Sequence, residues 1–211
     1  MGNPWLDIPE GDYLGHMSSP MVNQRPVLSR LLRDTLESVR PRTVLVLGAS
    51  TGNGLEHVRQ EVTSRVTVVD ANPAYLRRLV EVFSNAGFEL DVRCADLADF
   101  VFEPEAFDLV HAGLILEYVD WPRLLPRLAA TLRPSGVFSV VLQLRSGSSP
   151  AVTETAFTSL RLLETLFRFV EPEALVEASR GVGLMLDSWR TEPLTAGKAF
   201  EVLRFVRDAA F

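Results

Sequence analysis

The strongest limit on how this chain folds is a rhythm that starts at Thr43–Leu47 (TVLVL), an unbroken run of β-branched residues and leucine. Such a run marks a strand buried on both faces, and it opens into a glycine-rich segment, GASTGNG (48–54). Further strand patterns follow at Arg65–Val69, ELDVRCA (89–95), FDLVHAG (107–113) and VFSVVLQL (137–144). Helices are expected between them: at about 53–62, from Pro73 to a stop at Gly87, and at 121–132, where Pro126 implies a kink or a late start. Strands alternating with helices in this way imply βαβ units around a parallel sheet. Right-handed crossovers then put helices on both faces and ligand sites at the C-terminal strand ends.

The two ends of the chain depart from this rhythm. Residues 25–40 place Val27, Leu28, Leu31, Leu32, Leu36 and Val39 near one helical face before Pro41 stops the helix. Ahead of it, DYLGHMSSPMVNQRPVL (12–28) reads as an ordered loop running into that helix. Beyond the fifth strand, RSGSSPAV (145–152) is a loop, followed by an amphipathic helix at about 153–168 and another at 172–180. GLMLDSWR and KAFEVLRFV read as strands joined only by TEPLTAG. A connection that short makes an antiparallel pair, so the sheet is expected to be mostly parallel with one reversed strand near its edge.

With 211 residues the chain suits one sizeable domain, and no apolar run approaches the ~18 residues of a membrane span. The start, MGNPWLDIPEGDY, has neither the basic end nor the apolar centre of a secretory signal. Gly2 lacks the Ser or Thr that an acylation motif wants at position 6, where Leu6 stands. The single Cys94 permits no internal disulfide or thiolate cluster, and with only three histidines no metal is expected. A net charge of −6 with no basic block argues against nucleic acid as a partner. No membrane partner is expected either, and the cytoplasm is the expected location.

The glycine segment is not a standard dinucleotide fingerprint, because Ser50 and Asn53 occupy positions where G-x-G-x-x-G requires glycine. No lysine follows to make a P-loop, and GASTG lacks the nucleophile-elbow pattern G-x-S-x-G. What remains is a tight strand exit, a close backbone approach to a ligand and a free helix N-terminus, none of which requires phosphate. The second strand ends at Asp70, 22 residues after Gly48, where a carboxylate can accept from both hydroxyls of a ribose. The third ends at CADLAD, putting Asp96 where it can meet an adenine amino group, and the fourth ends in small residues, Ala112 and Gly113. An aspartate after a strand is also a common turn or cap residue.

Taken in order, VLVLGASTGNG, VTVVDAN, CADLAD, FDLVHAGLILEYVD and LRPSGVFSVV resemble the class I S-adenosylmethionine-dependent methyltransferases over roughly residues 41–144. The resemblance implies an α/β, Rossmann-like three-layer sandwich with a seven-stranded sheet of order 3-2-1-4-5-7-6. It implies S-adenosylmethionine as methyl donor, S-adenosylhomocysteine as product, and a domain at 41–211 behind an N-terminal lid and helix at 1–40. The donor site it implies comprises Gly48, Ala49, Ser50, Asn53 and Gly54 by the methionine portion, Asp70 and Ala71 by the ribose, and Asp96 with Leu97 by the adenine. Ala112 and Gly113 complete its floor, and Tyr13, His16 and Met17 cover it from the lid. Two departures stand out: Val46 where the family has an acid, and Ser50 where it often has glycine.

Methyl transfer is an in-line displacement, so the protein chiefly aligns two molecules and excludes water. A base is needed only where the acceptor must lose a proton, and the candidates are His16, His111, Glu117 and Tyr118. His111, inside a strand, also reads as a hydrogen-bonded core histidine, and Glu117 as solvated surface. His57 reads as structural. A small-molecule acceptor fits the acidic charge and the absence of a recognition domain. An NAD(P)-dependent oxidoreductase and a non-catalytic nucleoside-binding protein are the alternatives.

Overall fold

The computed structural model describes residues 3–145 and 152–210, without the side chain of Ala196. Gly2 and the interior of RSGSSPAV lie outside the described residues. Seven strands form one sheet: β1 (Thr43–Leu47), β2 (Arg65–Asp70), β3 (Glu89–Cys94), β4 (Phe107–Gly113), β5 (Leu132–Gln143), β6 (Leu184–Pro193) and β7 (Ala199–Arg207). Their order is β3-β2-β1-β4-β5-β7-β6. β7 runs antiparallel to both β5 and β6, and every other pair is parallel. The expected order and the reversed strand are therefore both present.

Strand alternation builds two cores. Val44 and Val46 of β1 point to one face with Val66 and Val68, and Leu45 and Leu47 point to the other with Val110 and Phe138. The first face is covered by α2 (Gln24–Val39) through Leu32 and Leu36 and by α3 (Pro73–Phe83) through Leu76 and Leu79. The second is covered by α4 (Trp121–Thr131) through Leu124, Leu125 and Leu128 and by α5 (Pro172–Arg180) through Leu175 and Val176. Asn72 caps α3, its side-chain oxygen accepting from Ala74 N at 2.9 Å. Pro126 sits inside α4, which begins at Trp121 nonetheless.

Four local expectations fail. The helix at 53–62 is replaced by one 3-10 turn, Leu55–His57. Gly52 and Gly54 have φ of +85° and +90°, outside the helical region, and the β-branched Val58, Val62 and Thr63 favour helix weakly. Glu56 folds back, its carboxylate accepting from Gly54 N at 2.7 Å and from Ser29 Oγ at 2.5 Å. Second, the expected loop at 12–28 contains a helix, α1 (Glu10–Ser18). Gly15 lets α1 approach its neighbour, since a Cβ there would stand 2.1 Å from the Phe157 ring. Third, the expected amphipathic helix at 153–168 is a 3-10 segment, Thr158–Thr165. Fourth, β5 begins at Leu132 rather than Val137, with a shift of register against β4 between Phe107 and Leu109.

Candidate functional site

One cavity of about 150 Å³ lies over the C-terminal ends of the strands. Its floor follows the strand order, with Gly48 and Ser50 after β1, Asp70 and Ala71 at β2, Asp96 and Leu97 after β3, Gly113 and Leu114 at β4 and Gln143 at the end of β5. Its roof is made by the chain's two additions to the sheet: residues 3–28 supply Trp5, Tyr13, His16 and Met17, and residues 152–167 supply Thr153, Leu160 and Phe167.

The β1 exit is shaped by backbone. Gly48 has φ +60°, and a Cβ on it would stand 2.8 Å from the Ile115 side chain. Its N–H donates to Val69 O at 2.8 Å, tying the turn to β2. Ser50, also left-handed at φ +50°, donates its N–H to Asp70 Oδ2 at 2.7 Å, and Asp70 Oδ1 accepts from Asn72 N at 2.8 Å. Burial pushes the Asp70 carboxyl above its ordinary value, and these two N–H donors pull it back. Each carboxylate oxygen retains acceptor capacity toward the cavity.

The roof is pinned to this floor by polar bonds and rings. Asn72 Nδ2 donates to Trp5 O at 2.8 Å, Tyr75 Oη donates to Ile8 O at 3.1 Å, and Asn3 Nδ2 reaches Asp96 Oδ2 at 3.5 Å. Aromatic rings then cross the cavity in sequence: Tyr75 to Tyr13 (5.3 Å), Tyr13 to Trp5 (6.2 Å), Trp5 to Tyr118 (5.1 Å) and Tyr118 to Phe167 (5.5 Å). Burial raises the phenols of Tyr13, Tyr75 and Tyr118. For Tyr13 the neighbouring Ser50 hydroxyl works in the opposite direction, although no well-formed hydrogen bond joins the two.

Two buried polar atoms on this wall, Ser50 Oγ and Trp5 Nε1, have no hydrogen-bond partner among the described residues. Buried polar atoms are normally paired. Their lack of partners, with the open acceptor capacity of Asp70, fits a ligand rich in hydroxyl and amino groups such as a nucleoside joined to an amino acid.

The structure sorts the residues singled out in the sequence. Tyr13, His16, Met17, Gly48, Ser50, Asp70, Ala71, Asp96, Leu97, Gly113 and Tyr118 all line the cavity. Ala49, Asn53, Gly54, Ala112, His111 and Glu117 do not. Asn53 Nδ2 donates instead to Arg25 O at 2.9 Å, and a Cβ on Gly54 would meet Leu32 at 2.8 Å, so both residues serve the packing of α2. Ala49, in the turn after β1, and Ala112, in β4, are buried. With no α-helix after the glycines, the expected helix N-terminus is absent too.

His111 is a core histidine, its Nδ1 3.2 Å from Ser139 Oγ, and burial lowers it to about 4. Glu117 is not solvated surface, being 1% exposed. Its Oε1 accepts from Gln143 N at 2.7 Å, its Oε2 has no partner among the described residues, and burial raises it to about 7. Val46 is buried in the apolar core beside α2, where a carboxylate would be desolvated. Residues the sequence reading missed include Trp5, Gln24, Tyr75, Gln143, Thr153 and Phe167. Gln143, a polar residue ending an apolar strand, was the one legible signal among them.

Residues 44–136 match the family model described as a methyltransferase domain. Among solved structures, a 1,6-didemethyltoxoflavin-N1-methyltransferase from Burkholderia thailandensis, with 1,6-didemethyltoxoflavin and S-adenosylhomocysteine bound, aligns with a TM-score of 0.67 at 20% identity, over 99% of this chain and 92% of its own. The N-methyltransferase NodS from Bradyrhizobium japonicum WM9, in complex with S-adenosylhomocysteine, aligns with a TM-score of 0.66 at 18% identity, over 87% of each chain. An S-adenosylmethionine-dependent methyltransferase from Mesorhizobium loti aligns with a TM-score of 0.68 at 18% identity, over 84% of this chain and 96% of its own. No curated protein matches the chain.

Proposed function

We propose that this chain, whose residues 44–136 match a methyltransferase-domain model, is a class I S-adenosylmethionine-dependent enzyme that transfers the donor's methyl group to a small-molecule acceptor in the cytoplasm. The observation that carries this reading is a roofed cavity in which the ligand-compatible strand ends Ser50, Asp70 and Asp96 share one wall system with Tyr13, His16 and Tyr118. Bound there, the donor supplies a methyl group activated on a sulfonium.

The protein's own part is binding and alignment. Asp70 accepts from the ribose hydroxyls while Ser50 N and Asn72 N hold its carboxylate in place. Asp96 and Leu97 meet the adenine, and the Ser50 hydroxyl takes a polar atom of the amino-acid end. Residues 3–22 act as a lid whose aromatic rings exclude water from the reacting atoms. A small acceptor is supported by the enclosure of the cavity and by the neighbour whose structure holds 1,6-didemethyltoxoflavin.

Isothermal titration with S-adenosylmethionine, S-adenosylhomocysteine and NAD tests the reading. The first two are expected to bind and to raise the thermal midpoint, and NAD to do neither. Binding of NAD alone would reverse the assignment toward an oxidoreductase.

A further inference from the structure

The two halves of the cavity differ in charge. Among the described residues, Asp70 and Asp96 are the only acidic or basic side chains other than histidine on its wall, and both lie at the β2–β3 side; Lys198 stands behind the opposite wall, its Nζ donating to Thr153 Oγ1 at 2.7 Å. The side over β4, β5 and β7 is lined by Gln24, Gln143, Thr153, Leu28, Leu114 and His16. Gln24 Nε2 reaches Gln143 Oε1 at 3.4 Å, joining the start of α2 to the end of β5. His16 belongs to this side because its Nδ1 lies 3.0 Å from Thr155 Oγ1, and Lys198, next to the start of β7, acts on it electrostatically. Its Nε2 makes no hydrogen bond among the described residues and is not fully buried, and the residue lines the cavity.

We propose that the acceptor is an uncharged small molecule bearing a weakly acidic O–H or N–H group, and that His16 is the catalytic base that takes its proton. The inference deepens the methyltransferase reading and rests on it. Thr155 is the positioning residue: Nδ1–H donates to its hydroxyl oxygen and leaves the lone pair on Nε2. The acceptor's O–H or N–H bond breaks as its proton passes to Nε2, and its freed electron pair forms the new bond to the methyl carbon. The carbon–sulfur bond breaks with its electrons going to sulfur. The products are methylated acceptor, neutral thioether and a protonated His16, so charge and atoms balance.

The surroundings keep His16 neutral and ready. Burial lowers it and Lys198 lowers it further. Other charged groups on the packed elements are engaged elsewhere: on α1, Asp12 accepts from Ser159 Oγ at 2.6 Å and Glu10 pairs with Arg78 at 3.5 Å. On the 152–165 segment, Glu154 pairs with Arg161 at 3.0 Å, and the start of α2 offers the neutral Gln24 and an exposed Arg25. The other candidates fail as bases on position or chemistry. His111 and Glu117 lie behind the wall, and the Tyr118 phenol is raised by burial.

The test has two arms. In the first, the enzyme and labelled S-adenosylmethionine are offered uncharged phenols and N–H heterocycles, together with carboxylated, phosphorylated and amine-bearing counterparts. Product is expected only from the uncharged set, with a rate that rises with pH to a plateau reached below the ordinary histidine value. His16→Gln should lower kcat at least ~100-fold with S-adenosylhomocysteine affinity within about twofold. Thr155→Val should lower kcat more than KM changes, and Thr155→Ser should restore it. Product from charged members, none from the uncharged set, or a His16→Gln variant of full rate would overturn the proposal. In the second arm, 15N NMR of the histidine-labelled protein with S-adenosylhomocysteine bound should show His16 neutral at pH 7 with the proton on Nδ1. A proton on Nε2, or a cationic ring, would overturn it without reference to any acceptor. Failure of S-adenosylhomocysteine to bind at all would instead strike the methyltransferase reading.

Discussion

The two halves of the cavity are built from different materials. The β1–β3 half is made of strand ends: a left-handed Gly48, a backbone N–H from Ser50, and carboxylates fixed by backbone donors. The β4–β7 half is made largely of side chains: Leu114 and Gln143 from the strand ends, joined by others brought in by α1, α2 and the 152–167 segment, elements outside the alternating pattern. A backbone-built half is held by the sheet's hydrogen bonds and is specified by very few residues. A side-chain-built half can change its chemistry without touching the sheet. One half suits an unvarying donor, the other a particular acceptor.

The comparison can be broken most sharply at Asp70. If the donor sits as proposed, Asp70→Ala removes acceptors for two ribose hydroxyls, each a charge-assisted bond, so S-adenosylhomocysteine binding should weaken by about 4 kcal/mol, on the order of a thousandfold. Calorimetric titration showing affinity within tenfold of the unsubstituted protein would remove the donor half as described.

The next largest effect belongs to the boundary between the halves. Glu117 is raised by burial to about 7 from 4.5, so the folded protein holds its proton across that window. Its stabilising contribution is complete below pH 4.5 and is lost as pH rises toward 7, a change of about 3 kcal/mol. His111, lowered by burial to about 4 from 6.5, has the opposite slope, because stability is lost as pH falls from 6.5 toward 4. The two nearly cancel in the unsubstituted protein. Glu117→Gln should therefore uncover the histidine slope, and urea midpoints measured from pH 4 to 7 should rise steeply only in the variant. Parallel profiles would show that Glu117 does not hold its proton there.

Glycines separate ligand contact from packing. Gly54→Ala forces a Cβ toward Leu32 and a positive φ on alanine, which should cost about 2 kcal/mol of stability. Donor affinity should stay unchanged, because Gly54 is not on the cavity wall. Affinity lost in proportion to stability would return Gly54 to the donor site. The smallest effect is expected at the roof: Tyr75→Phe removes one hydrogen bond to Ile8 O, about 1 kcal/mol of stability, read as a lowered urea midpoint. No change would mean that this bond does not hold the N-terminal segment down.

What the sequence disclosed follows the same division. TVLVL, the aspartate 22 residues beyond Gly48, and the short link between the last strands were legible because period and spacing encode them locally. The sheet order came through the family resemblance. The lid residues Tyr13, His16 and Met17 came through the same resemblance, but the roof's local structure and its 152–167 part were not legible. EGDYLGHMS carries two glycines and alternates weakly, so α1 looked like loop, and its position depends on Gly15 meeting Phe157, far along the chain. Asn53 and Gly54 stand among the donor residues that the resemblance implies. Their positive-φ neighbourhood and the folding back of Glu56 turned the segment toward α2 instead. Glu117 reads in the sequence as either a candidate base or solvated surface, because one sequence does not show that its carboxylate accepts from Gln143 N in the interior.

The most direct test of the divided cavity is a crystal structure with S-adenosylhomocysteine. The ribose is predicted at Asp70 and the adenine beside Asp96 and Leu97, with the sulfur toward Tyr118 and the space between Gln24, Gln143 and His16 left for the acceptor. An adenine or ribose lying in that second space would contradict the division of the cavity on which the account rests.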